Sequence, residues 1–171
     1  MNGKIGIKEI LGIAARLILG GVFVYSGWLK AVAPAEEFAY AIETYRIVPA
    51  ALTMLIALTV PWLEIYLGVF LVTGVFTGYS AFGLGALLVG FEGLLLQAII
   101  RKLPVTSCGC FGASKSNSLG HELAQNIGLL ALAALAAKYG GKLSIDSAVD
   151  AGETATRSSL GSIPGKGGRY D

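Results

Sequence analysis

Charge is the scarcest ingredient of this sequence. Of its 171 residues, 14% are Asp, Glu, Lys or Arg, against 54% that are apolar, and mean hydropathy is +0.69. Soluble domains are about 25% charged, so this composition excludes an ordinary water-facing globule and points to lipid. The net charge of +2 is equally thin. No basic stripe with interleaved aromatics runs through the chain, so no nucleic-acid partner is expected. Cysteine is also rare, and two in the whole chain exclude a disulfide-stapled scaffold. Histidine occurs once, as His121. A structural zinc site needs four ligands, so no metal is expected.

What is present is long and apolar. Four runs stand out: Ile10 to Leu29, Pro49 to Thr73, Ser80 to Ile100, and Leu119 to Ala137. Each has about the 20 residues a helix needs to cross roughly 30 Å of hydrocarbon. Backbone groups in lipid must be satisfied internally, and no alternating barrel pattern is seen, so helices are expected. The fold class is therefore an all-α membrane protein, a four-transmembrane-helix bundle over residues 1–138. Ala31-Val32-Ala33 mimics a signal-peptide cleavage site. The preceding run is too long for a signal core and contains Arg16, so it reads as a retained helix.

Between the first two runs, Pro34 to Val48 reads as a short amphipathic helix lying at the membrane interface. Phe38, Ala41, Ile42 and Tyr45 recur at helical spacing opposite Glu36, Glu37 and Glu43. Beyond Tyr139, Gly, Ser, Thr and Ala dominate with no apolar period. Residues 139–171 are therefore expected to be a disordered tail without chemistry.

The most specific feature is Cys108-Gly109-Cys110, in the polar segment between the third and fourth runs. A disulfide between residues two apart closes a very small ring, and Gly109 supplies the backbone freedom that closure needs. Strained disulfides are labile and oxidising, suited to passing electrons rather than to permanent stabilisation. A metal-binding pair and two inert thiols are the other readings. Nearby, the fourth run opens with His121, Glu122, Gln125 and Asn126. His121 could accept a thiol proton or, as an imidazolium, sit beside a thiolate. It could equally just solvate a helix end.

Ionisable groups inside apolar runs are functional candidates by default. Arg16 lies about two turns into the first run. Glu64, 15 residues past Pro49, falls roughly 22 Å below the opposite face at ~1.5 Å per residue. That depth arithmetic predicts a structural Arg16–Glu64 ion pair. Glu92 has no obvious intramembrane cation; it could stay protonated, reach Lys30 or Arg101, or relay a proton to a bound carrier. Trp28, Trp62 and Tyr66 could line a carrier pocket or belong to an interfacial belt.

Lys4, Lys8, Lys138 and Lys142 flank the two ends, which favours cytoplasmic termini. The remaining loops are nearly as basic. A cycling cysteine pair belongs in an oxidising compartment, which places the cysteine loop in the periplasm and the protein in the bacterial inner membrane.

Taken together, Arg16-x-x-Leu19-Gly20-Gly21-x-Phe23-x-x-Ser26-Gly27-x-x-Lys30, then Tyr45 and Pro49, Pro61-Trp62-x-Glu64, and Cys108-Gly109-Cys110-Phe111-Gly112 resemble the MauE/DoxX family of redox-associated membrane proteins. The nearer branch is the methylamine-utilisation MauE type, over residues 10 to 137. Gln125-Asn126 departs from the Arg-Asn pair the family leads one to expect. The resemblance implies a bundle that assists disulfide formation in periplasmic proteins with a thioredoxin-like partner. Its likeness to vitamin K epoxide reductase-type bundles implies a quinone as electron acceptor. Cys108 and Cys110 would then be catalytic. Two other roles fit the same family: a non-catalytic assembly subunit for methylamine dehydrogenase, and a DoxX-like subunit of a quinone-linked sulfur-compound oxidoreductase.

Overall fold

The computed structural model describes residues 6–103 and 119–141, which contain five helices and, among the described residues, no strand. They are α1 (Ile7–Val32), α2 (Ala35–Thr44), α3 (Ala50–Thr73), α4 (Thr77–Ile100) and α5 (Leu119–Tyr139). Among the described residues, three stretches are long and apolar enough to cross a membrane: Ile7–Val32, Ala51–Thr73 and Thr77–Ile100. α5 is 21 residues long, opens on polar residues, and packs along α1 and α4. Cys108, Cys110 and residues 142–171 of the expected tail lie outside the described residues.

Local chemistry sets the breaks. Pro34 disfavours helical backbone at the residue before it, and Ala33 is extended, with φ −80° and ψ 156°. α3 ends at Gly74, whose φ of 78° is left-handed and suits a residue without Cβ. The Gly74 and Val75 amides both donate to the Phe70 carbonyl at 2.9 Å, closing the helix end and turning the chain back into α4.

α1 buries one face at intervals of three and four residues: Gly12, Ala15, Arg16, Leu19, Gly20, Phe23, Ser26, Gly27 and Lys30. Leu19 and Phe23 pack with Leu71, Leu84, Leu88 and Ala133, the core where α1, α3, α4 and α5 meet. Glycines bring α1 and α3 together. A Cβ on Gly20 would stand 2.8 Å from the Gly68 carbonyl, and one on Gly27 would stand 2.6 Å from that of Pro61. Small residues permit such close approach in lipid, where tight packing replaces the hydrophobic drive.

This seam fixes the register. Gly27 lies level with Pro61 and Glu64, and Gly20 with Gly68 and Val72, so α1 and α3 are antiparallel. Counting from that level, the first two turns of α3 overshoot the end of α1 by roughly 10 Å. α2 packs on that overhang, burying Phe38, Ala39 and Ile42 against Ala57. The amphipathic helix read from the sequence thus forms, with its apolar face against α3. α5 also runs antiparallel to α1, since Gly12 meets the Tyr139 backbone. The C-terminal end of α4 and the N-terminal end of α5 therefore both lie at the α2 end of the bundle.

Candidate functional site

At that end, α1 and α3 hold a buried ion pair. Glu64 is fully buried, and Lys30 and Ser26 are each 5% exposed. Lys30 Nζ donates to both Glu64 carboxylate oxygens at 2.7 Å and to Ser26 Oγ at 2.9 Å. Ser26 Oγ in turn donates to Glu64 Oε2 at 3.3 Å. Ser26 and Lys30 are four residues apart on one helix face, so a single turn presents both to the carboxylate. The ammonium also lies 5.5 Å from the Phe38 and Phe91 ring centroids, in reach of cation–π attraction from α2 and α4. Four helical elements thus converge on one charge.

The arrangement answers a physical problem. A lone charge among lipid-embedded helices is expensive, and a buried pair is tolerable only with good geometry and further hydrogen bonds. Both carboxylate oxygens and the ammonium are engaged here.

At the same end lie further buried polar groups: Asn126 at 3% exposure, Glu122 at 7% and Tyr45 at 2%. The Tyr45 phenol is pushed up to about 12, first by burial and then by the nearby negative charge of Glu122. The end of α2 therefore lies near the first turn of α5. Thr53 Oγ1 donates to Glu43 Oε1 at 3.1 Å and ties α3 to α2.

The expected Arg16–Glu64 pair is not formed. Glu64 is taken by Lys30, and Arg16, 14 residues earlier on α1 and thus roughly 21 Å away along the axis, donates through Nη1 to the Gly140 carbonyl at 3.0 Å. The depth estimate measured Glu64 from the membrane face. It missed that the first turns of α3 rise beside α2, above the end of α1.

The carrier-pocket candidates are dispersed. Trp28 lines an apolar groove between α1 and α3, with Tyr25, Ile65 and Val69, on the outer surface. Trp62 and Tyr66 are about half exposed, their ring centroids 6.3 Å apart. Glu92 is on α4, away from that groove, and its Oε1 is buried without a hydrogen-bond partner among the described residues. His121 is exposed in the first turn of α5, while Glu122 and Asn126 on the neighbouring face turn inward.

The fold and the site together define a multi-pass helical membrane protein, with an ion pair locked between two of its spans. A family model described as methylamine utilisation protein MauE matches residues 8–139, and the chain belongs to that family. No curated protein and no solved structure matches it.

Lys30, Ser26 and Asn126 appear in the sequence only as motif or helix-end residues, and no site role was read for them. The signal for the first two was available: Ser26-x-x-x-Lys30 places a hydroxyl and an ammonium on one helical face, beside a span with a single carboxylate.

Proposed function

We propose that this protein is a membrane thiol–disulfide oxidoreductase of the methylamine-utilisation type, supporting disulfide formation in partner proteins. A thiolate of a reduced thioredoxin-like partner attacks one sulfur of a Cys108–Cys110 disulfide and forms a mixed disulfide. The partner's second thiol resolves it, leaving the partner oxidised and Cys108 and Cys110 as thiols. Reoxidation of the pair delivers two electrons and two protons to a lipid-phase acceptor of the quinone class. In this reading α5 is a fourth span, since it packs lengthwise between α1 and α4 and is almost purely Ala and Leu after its second turn. The cysteine segment faces an oxidising compartment.

One observation carries the proposal: the chain's only two cysteines are spaced next-but-one between Leu103 and Leu119, both at the bundle end that holds the polar cluster. A non-catalytic maturation subunit would share the family and the bundle but would not need two exchangeable sulfurs. Trapping separates the two. A partner whose resolving cysteine is changed to serine can attack a Cys108–Cys110 disulfide but cannot resolve the mixed disulfide that forms. Expressed with the wild-type chain, that partner is expected to accumulate a reductant-sensitive adduct on non-reducing gels, and with a Cys108→Ser/Cys110→Ser chain none. No adduct with the wild-type chain, together with normal maturation of the client enzyme by the double-serine chain, rejects the oxidoreductase reading.

A further inference from the structure

Between the ion pair and α5 lies a cavity of about 20 Å³, lined by Val22, Phe23, Ser26, Glu64, Leu88, Phe91, Asn126 and Leu129. Most of this wall is apolar. The polar groups are Ser26, Glu64 and Asn126. Asn126 is 3% exposed, and its Nδ2 has no hydrogen-bond partner among the described residues. An amide N–H buried without a partner costs about 1–3 kcal/mol, and a single bridging group in the cavity would relieve that cost.

We infer that this cavity is a binding site for one water molecule, held by Asn126 and Glu64. The space exceeds the ~10–15 Å³ that a water needs, and the polar partners reach the two to four that buried waters use. The carboxylate has room for it. Glu64 accepts bonds from Lys30 and Ser26, and an ionised carboxylate offers about four acceptor positions. The water accepts from Asn126 Nδ2 and donates to Glu64. It is too confined for any larger ligand, and a carrier ring is excluded by size. The water makes a hydrogen-bonded link between α5, the helix that directly follows the cysteine segment, and the α1–α3 ion pair. Asn126 is then a water-holding residue rather than a packing residue.

Hydroxyl-radical labelling of the full chain in lipid nanodiscs tests this, because radicals generated by X-rays from bound water mark the side chains beside it. Leu88 lines the cavity and Leu84, one turn away, does not, though they are 1% and 0% exposed. Leu88 is expected to label several-fold faster than Leu84. Asn126→Leu, which removes the amide and fills the space, should bring Leu88 down to the Leu84 rate. Leu129→Phe, which fills the cavity from its apolar wall, should do the same and serves if the first variant fails to fold. A Cys108→Ser/Cys110→Ser chain should label like the wild type, so the result stands or falls apart from the redox reading. Equal labelling of Leu88 and Leu84 in the wild type would overturn the inference, as would Leu88 labelling unchanged by both cavity-filling substitutions.

Discussion

Replacing Lys30 by methionine is expected to destabilise the folded protein by about 3–5 kcal/mol, the cost of leaving one member of a buried pair uncompensated. The chain length is kept, so the loss reports charge rather than volume. Glu64 stays fully buried, with the Ser26 hydroxyl still donating to it. Glu64→Leu should cost a similar amount, by stranding the ammonium between the Phe38 and Phe91 rings. The double variant Lys30→Met/Glu64→Leu should recover most of the loss, because apolar replacement of a whole buried pair is often neutral or stabilising. Unfolding by denaturing detergent, followed by circular dichroism, gives the three values needed for a double-mutant cycle. Single variants within about 0.5 kcal/mol of wild type, the range of an ordinary surface change, would mean that the pair does not lock α1 to α3.

The glycine seam carries the second large effect. Gly20→Leu and Gly27→Leu each place a side chain where even a Cβ meets a backbone carbonyl of α3, at 2.8 Å from Gly68 and 2.6 Å from Pro61. Overpacking typically costs about 1–3 kcal/mol, and here the obstacle is backbone, which cannot rotate away. Gly27→Leu is expected to be the worse of the two, because separating the helices at that level also pulls Glu64 from Lys30. Gly21→Leu is the control, since a Cβ at Gly21 meets nothing within 4 Å. The same unfolding measurement should rank them Gly27, Gly20, Gly21 in order of decreasing loss. Equal tolerance at all three positions would contradict the packing described.

The seam and the ion pair also show what could be read from the residues and what could not. The helices were legible because apolar runs of membrane-spanning length have one physical solution, and Pro34 and Gly74 mark breaks in the usual way. The apolar face of α2 was legible from the spacing of Phe38 and Ile42. The partner of Glu64 was not. Choosing between Arg16 and Lys30 requires the relative height of two antiparallel helices. That height is set by where Gly20, Gly27 and Gly68 let the backbones touch and by how far α3 overshoots to carry α2. A depth count from the membrane face contains neither quantity. Asn126 was noticed as part of a polar helix start, but its inward aim depends on how α5 is rotated against α1 and α4. Arg16 was rightly suspect as a buried charge; the Gly140 carbonyl to which it donates lies at the far end of α5, a contact with no local sequence signal.

The central claim is that Cys108 and Cys110 form a bond that opens and closes in an oxidising compartment. Its most direct measurement is alkylation of both residues in intact cells by a membrane-impermeant thiol reagent, with and without prior reduction, read by mass spectrometry of the peptide. The account predicts little labelling in untreated cells and labelling of both cysteines once a reductant is added, all without lysis. Full labelling in untreated cells would show permanently reduced thiols, and labelling only after lysis would place the segment on the other side of the membrane. Either result would contradict the account.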